Sequence, residues 1–464
     1  MLPREVYNSR AAEFGAKAMR LQNLSNRLSL GRLIAFTGGL ILFVALSTAS
    51  VVAAVVVLLV SLVLFAWMVI RYGITERQRN HFSHLEEINK LEIRCLDGDF
   101  SGYKSGEEYA ERDHPYIYDL DIFGRTSLFQ LICRTTSKPA SDLLAGYLKQ
   151  SAPADEIMSR QEAVKELAPM TSWRQELITT GYENAGAGKD PSELMKWLRS
   201  DDFFKNRRRE KTIIWSLTIL AISSIVLVIA GFPVIVLVPV FTVNFIIYFT
   251  RFRKITKLHE QVSKSSDLLR TYSSAIGMIE KETFSAAKLK MLQGSFRGDS
   301  DASGQVRTLA RLVNRLDSRL NVLVSIPLNL LLFTDMRFCL ALEEWKRQHA
   351  AMIPGWFAAM AEFEALSSLA NLAFNNPAWV FPEIIPDFFT FRTVNMGHPL
   401  IPEKRRITND FESSGSGKAI LITGSNMSGK STFLRTCGIN TVLALAGAPV
   451  CASSFSLSHV RIHS

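Results

Sequence analysis

Two stretches without a charged side chain dominate what this chain can become: Leu33 to Ile70 and Ile213 to Thr250, each 38 residues long. At 1.5 Å per residue, either would make a helix of roughly 57 Å, about twice the hydrocarbon thickness of a bilayer. Each is therefore read as a hairpin of two spans, turning at "STAS" (Ser47 to Ser50) and at "GFP" (Gly231 to Pro233). Helices buried in a soluble core are the competing reading, but such helices rarely run this far without charge. All four outer ends are basic. Arg20, Arg27 and Arg32 precede the first block, and Arg71, Arg77 and Arg79 follow it. Lys205, Arg207, Arg208, Arg209 and Lys211 precede the second, and Arg251, Arg253, Lys254 and Lys257 follow. By the positive-inside tendency these ends face the cytosol, and the hairpins cross and return.

The chain is 48% hydrophobic yet 21% charged, so apolar and polar characters must sit in separate blocks. A net charge of +10 suits a polyanionic neighbour, nucleic acid or an anionic membrane face. Much of it is accounted for by the hairpin flanks. The five cysteines show no CxxC and no regular spacing, which fits a reducing compartment better than a disulfide framework. His81 and His84 lie one helical turn apart, but beside Glu86 and Glu87 they read as a solvated juxtamembrane helix rather than a metal site.

The blocks divide the chain into a cytosolic N-terminal segment (1–32), hairpin 1 (33–70), a helical segment (71–212), hairpin 2 (213–250), lever-like long helices (251–375) and an α/β domain (376–464). In the lever region Leu258, Val262, Ser265, Leu269, Tyr272, Ile276 and Ile279 recur at spacings of four and three, the seam of a long helix continuing the last span. After a polar breaker, Gln293 to Gly304, the period resumes at Val306, Leu309, Val313, Leu316 and Leu320, predicting an antiparallel arm. Leu320 to Thr334 is a third apolar run, too short to span and interrupted by Pro327, and is read as a buried or interfacial helix.

Near the end, "GSNMSGKS" (Gly424 to Ser431) fits G-x-x-x-x-G-K-[ST] without mismatch, between "AILIT" (Ala419 to Thr423), a candidate buried strand, and an apolar stretch able to open a helix. Glycines at the two ends let successive N–H groups point at phosphate oxygens, at a helix N-terminus that favours anions. The predicted nucleotide contacts are Gly424, Ser425, Asn426, Met427, Ser428, Gly429, Lys430, Ser431 and Thr432. Lys430 would meet the β/γ-phosphates of ATP, and the Ser431 hydroxyl would ligate Mg²⁺. "SGSGK" (Ser414 to Lys418) imitates such a loop, but Ala419 stands where the Ser/Thr belongs, and it reads as a turn. No Asp or Glu follows Lys430, so the acidic residue that would complete a hydrolytic site is missing and the catalytic residues stay unassigned. The expectation is a chain cut short after its phosphate loop, or one that borrows the rest in trans.

"TGSNMSGKSTFLR" resembles the phosphate loop of the MutS family of DNA mismatch-repair ATPases, TGPNMxGKST. "GHPL" (Gly397 to Leu400) and "TND" (Thr408 to Asp410) look like the family's approach to that loop. "EFEALSSLA" (Glu362 to Ala370) is similar to its helix linking lever to ATPase domain, and "DIFGRTSLFQLICRT" (Asp121 to Thr135) and "RQEAVKEL" (Arg160 to Leu167) to the start of its helical core. With two hairpins, the whole looks like the membrane-anchored MutS-related proteins of bacteria.

The resemblance implies a mixed fold: two transmembrane helical hairpins, a cytosolic helical core and lever, and the N-terminal part of an ABC-type P-loop α/β ATPase domain. It implies ATP with Mg²⁺, ATP hydrolysis in a complete family member, a homodimer with composite sites, DNA as a partner, and a multi-pass place in the bacterial inner membrane with soluble parts in the cytosol. Where the family tends to put an adenine-stacking aromatic, this chain has Arg406 and Ile407, before Asn409; these three are the adenine-side candidates. No Phe-x-Glu wedge occurs in a suitable setting, and the breaker leaves no room for a clamp. Two other readings stand beside this one: an ABC-type transporter half, and a nucleotide-sensing membrane scaffold that binds no DNA.

Overall fold

The computed structural model describes residues 2–183, 191–204, 206–297, 301–317, 319, 322–386, 389–415, 417, 419–425 and 429–463. The first apolar block belongs to two very long helices, α1 (Pro3–Ser47) and α2 (Val51–Leu96), packed against each other. Their break at Thr48–Ser50 lies inside the "STAS" quartet, and the Ser50 side chain caps α2 by accepting from the Ala53 N–H. Midway, Gly39 faces Ser61 so closely that any Cβ would collide with its hydroxyl, a small-residue contact that lets the two helices approach. The second block forms α8 (Arg207–Ile229) and α9 (Leu237–Ser263), turning through Gly231 at φ +99°. Four helices among the described residues are thus long and apolar enough to cross a membrane.

Between the hairpins lie α3 (Leu128–Ile132), α4 (Lys138–Lys149), α5 (Ala154–Leu167), α6 (Thr171–Glu183) and α7 (Ser192–Arg199). Of these, α3 to α6 pack with α15 (Ile353–Asn375), whose "EFEALSSLA" segment is buried from Phe363 to Ala370. The Glu364 carboxylate accepts from the N–H groups of Thr136 (2.7 Å) and Ser137 (3.1 Å), fixing the entry of α4. The helical core and α15 are further locked by a buried ion pair. Arg134 donates from Nε and Nη2 to the two oxygens of Glu92, on the part of α2 far beyond Ile70. Both side chains are nearly sealed from solvent, at 3% and 2% exposure. Asn371 (3.0 Å) and Asn375 (2.9 Å) of α15 and Tyr103 (2.8 Å) also donate to Glu92. Tyr7 of α1 donates to Asn375 (2.7 Å), and Arg174 of α6 to Asn371 (2.6 Å). Through Asn375 and Asn371, α1 and α6 are thus tied to the cluster around the Glu92 carboxylate.

The lever differs from the continuous helix expected. Helix α9 stops at Ser263, and a new one, α10 (Ser266–Lys281), starts after a break at Lys264–Ser265. Three serines crowd that break, and serine hydroxyls compete with helical backbone bonds. The predicted seam is nonetheless buried at every position from Leu258 to Ile279. The breaker also holds the end of a short helix, α11 (Ala287–Gly294). The partner helix α12 (Ala302–Asp317) then runs antiparallel to α10, with Ser266 opposite Asn314 and Ser273 opposite Ser303. Its seam residues Val306, Leu309, Val313 and Leu316 are fully buried, while Leu320 lies outside the described residues. The third apolar run forms α13 (Val322–Leu332), which turns by 74° at Phe333 into α14 (Thr334–His349).

The C-terminal part is a four-stranded mixed sheet, β1 (Glu383–Ile385), β2 (Thr390–Met396), β3 (Asn409–Ser414) and β4 (Ser454–Ser458), in the order β1-β4-β2-β3. Between β3 and β4 runs α16 (Lys430–Ala446). The expected strand over Ala419 to Thr423 is not formed: these residues are irregular, with Ile420 52% and Leu421 88% exposed. A strand exists only through hydrogen bonds to a neighbour, and no described strand pairs with this one.

Candidate nucleotide-binding site

The site is built on the N-terminus of α16. Gly429 is its N-cap at φ +87°, a left-handed conformation that glycine adopts without strain. Lys430 opens the helix and folds back, its Nζ donating to the carbonyls of Gly424 and Ser425, both at 2.6 Å. The predicted lysine therefore lies on its own loop, with its charge held where an anion would be cradled. Ser431 and Thr432 follow, exposed in the first turn of α16. Of the predicted contacts, Gly424, Ser425, Gly429, Lys430, Ser431 and Thr432 are brought together; Asn426, Met427 and Ser428 lie outside the described residues.

The adenine-side candidates do not converge in the same way. Arg406 is turned onto the "GHPL" segment, where its Nε donates to the carbonyls of His398 (3.1 Å) and Ile401 (3.0 Å) and its guanidinium stands 5.5 Å from the centre of the Trp379 ring. Ile407 is 81% exposed. Asn409 opens β3 two residues before Phe411, whose ring packs edge-on against Phe433 of α16 at 5.6 Å.

The far end of α16 is anchored firmly. From Ile439 to Ala446 it is wholly buried, and Gly447 at φ +86° closes it, with Ala448 N–H returning to the Leu443 carbonyl. Asn440, fully buried, donates to the Gly397 carbonyl (3.0 Å) and accepts from the Cys451 N–H (2.8 Å), tying the helix to "GHPL" and to the approach to β4. Arg435 pairs with Asp121 (3.1 Å), which itself sits at φ +50°, so the helical core touches α16 three residues after Thr432. Sequence reasoning did not single out Asn440 or Asp121. A lone Asn inside the apolar run "INTVLALAG" was the available signal.

Burial holds the His398 imidazole below its usual pKa, with Arg435 and Arg406 adding to the effect against Asp121, so the ring stays neutral; its Nδ1 accepts from the Leu400 N–H (3.3 Å). The Cys437 thiol, pushed up to about 12 by burial, is no nucleophile. Among the described residues no cluster of His, Cys, Asp and Glu could hold a metal ion. Asn440→Ala is expected to cost about 2–3 kcal/mol in urea unfolding, because the buried Cys451 N–H would lose its acceptor. A loss below about 0.5 kcal/mol would show that the N–H finds another partner.

Residues 420–464 match the family model described as MutS domain V. The DNA mismatch repair protein MutS of Granulibacter bethesdensis is 34% identical over 135 residues, 28% of this chain and 14% of that protein. The Endonuclease MutS2 of Thermotoga neapolitana is 33% identical over 91 residues, 20% of this chain and 12% of the relative. The DNA mismatch repair protein MutS of Anaplasma phagocytophilum is 41% identical over 91 residues, 19% and 11% of the two chains. The matched stretch spans a seventh or less of each of these curated relatives.

Proposed function

We propose that this is a membrane-anchored, MutS-related P-loop protein that binds ATP with Mg²⁺ and couples nucleotide state to its helical core. The observation that carries the reading is the "GSNMSGKST" loop at the head of α16, its lysine folded onto the loop, inside the segment that matches MutS domain V. Membrane anchoring rests on the four long apolar helices and their basic outer ends, which favour the cytosolic side for the P-loop; the bacterial inner membrane is what the resemblance to membrane-anchored MutS-related proteins implies. An ABC-type ATPase domain, homodimerisation, ATP hydrolysis and DNA binding are what the resemblance to the MutS family implies, and they belong to the same proposal. Hydrolysis requires an acidic residue that the stretch after Lys430 does not contain. The matched relatives do not favour a transporter half.

When ATP binds, the chain's own part is to exchange the Lys430 contacts with the Gly424 and Ser425 carbonyls for contacts with phosphate, the loop N–H groups and the helix dipole adding to the attraction. Mg²⁺, if bound, would take the Ser431 hydroxyl, which stands exposed in the first turn. The test is equilibrium binding of a fluorescent ATP analogue to the full chain in detergent, with and without Mg²⁺. Lys430→Ala is expected to weaken it at least about tenfold, roughly 1.4 kcal/mol or more. Equal affinity in the two proteins would remove the nucleotide reading. DNA binding is checked by titrating a plain and a mismatched duplex against salt; affinity no better than that of an unrelated basic protein would remove the repair reading.

A further inference from the structure

We propose that α13 and the bend that follows it, residues 322 to 335, form a re-entrant element that dips into the cytosolic leaflet beside hairpin 2, with Ile326, Pro327 and Leu328 facing lipid acyl chains. This rests on the membrane reading above and extends it to a third element. Contacts along α9 gauge its depth. Arg319 donates to Thr256 (3.0 Å) and lies 5.2 Å from the centre of the Phe252 ring, just outside the charge-free block that ends at Thr250. The Leu330 carbonyl accepts from Asn244 (2.7 Å), twelve residues and about 18 Å further inward along the helix. Asp335 is already back at the level of Tyr248, whose hydroxyl donates to it (3.0 Å). Arg337 then reaches Thr218 (3.1 Å) and covers the Trp215 ring (4.2 Å), both in the cytosolic half of the charge-free block that begins at Ile213. The chain goes in and comes back out.

The local chemistry suits a lipid environment. Eleven helical residues reach about 16 Å, half the hydrocarbon thickness, so the element cannot cross. From Ile326 to Leu332 every residue except Asn329 is apolar, and the exposed ones are Ile326, Pro327 and Leu328. A helix interruption at membrane depth must satisfy its polar groups within the protein. Here fully buried Asn329 does so: its Oδ1 accepts from the Asp335 N–H (2.9 Å) and the Thr334 hydroxyl (3.2 Å), and its Nδ2 donates to Ser325. Phe333, at φ +52° and fully buried, makes the turn. The exposed apolar residues continue the outer surface of hairpin 2, where Leu220, Ile246 and Phe249 are exposed as well. That continuity selects lipid over a soluble partner.

The test uses the full chain in liposomes of phosphatidylcholine and phosphatidylglycerol, with a photo-reactive amino acid placed singly at Ile326, Leu328, Leu220 or Gln348. Adducts to radiolabelled acyl chains are expected at Ile326 and Leu328 in amounts comparable to Leu220 and about tenfold above Gln348, an exposed residue of α14. Labelling at Ile326 and Leu328 no higher than at Gln348, with Leu220 labelled, would overturn the re-entrant element and leave the hairpins standing. Adducts to a second polypeptide in place of lipid would also overturn it. No lipid labelling at Leu220 would remove the membrane reading and this proposal with it.

Discussion

Glu92→Ala is expected to destabilise the folded chain by about 3–5 kcal/mol, because it leaves the Arg134 guanidinium buried without its counter-charge. Further losses add to this: the amides of Asn371 and Asn375 and the Tyr103 hydroxyl all donate to the same carboxylate. Replacing both partners by apolar residues, Glu92→Leu with Arg134→Met, is expected to cost less than Glu92→Ala alone, since no orphaned charge remains. Burial alone would raise the Glu92 pKa, but the Arg134 charge and the hydrogen bonds from Arg134, Asn375 and Tyr103 outweigh it and hold the carboxyl below its ordinary 4.5. The sign follows from linkage: this contribution is fully present above pH 4.5 and is lost as pH falls through the lower folded value. Urea unfolding of the detergent-solubilised chain at pH 7, repeated at pH 5 and 4, measures both effects. A Glu92→Ala loss under about 1 kcal/mol would mean that water reaches the site and the pair is not structural.

That network explains much of what could and could not be read beforehand. The apolar blocks were legible because absence of charge over dozens of residues has few physical causes. The seam from Leu258 to Ile279 was legible because helical periodicity is local, and its residues are buried even though the helix itself breaks at Ser265. The G-x-x-x-x-G-K-[ST] motif was legible as a spacing; in the fold Gly429 caps α16 and Lys430 donates to the Gly424 and Ser425 carbonyls. Glu92 was not legible. It lies in "LEEINKLEIRCL", which reads as a solvated helix, and its partners come from residues 103, 134, 371 and 375. The failed strand at Ala419 to Thr423 has the opposite cause: its sequence is right, but strand formation is a property of pairs. Arg406 likewise had the right position and the wrong partners, since two nearby carbonyls already claim its Nε.

The second large effect is expected where the lever meets hairpin 2. Asp335→Ala should destabilise the chain by about 3 kcal/mol or more, because Arg319, only 7% exposed, would lose the carboxylate 3.7 Å away. Its Nη1 already has no hydrogen-bond partner, so little is left to compensate. Tyr248 would lose its acceptor in the same step. Asp335→Asn separates the two contributions: the amide oxygen can still accept from Tyr248, so what remains of the loss is the charge. Arg319→Met combined with Asp335→Asn should recover part of the stability lost in Asp335→Asn alone, as removing both charges leaves none unpaired. Unfolding in detergent, with protease cleavage near α13 as a local readout, distinguishes a junction defect from global loss. The reason to expect a local defect is geometric. Asp335 sits in the first turn of α14, directly after the Phe333 bend, and its N–H is held by Asn329 on the other side of that bend. Loosening the carboxylate therefore loosens the angle at which the chain leaves hairpin 2 for α14, α15 and the sheet behind the phosphate loop. Should Asp335→Ala leave both stability and cleavage unchanged, the bend is held by Asn329 and packing alone, and the ion pair is incidental.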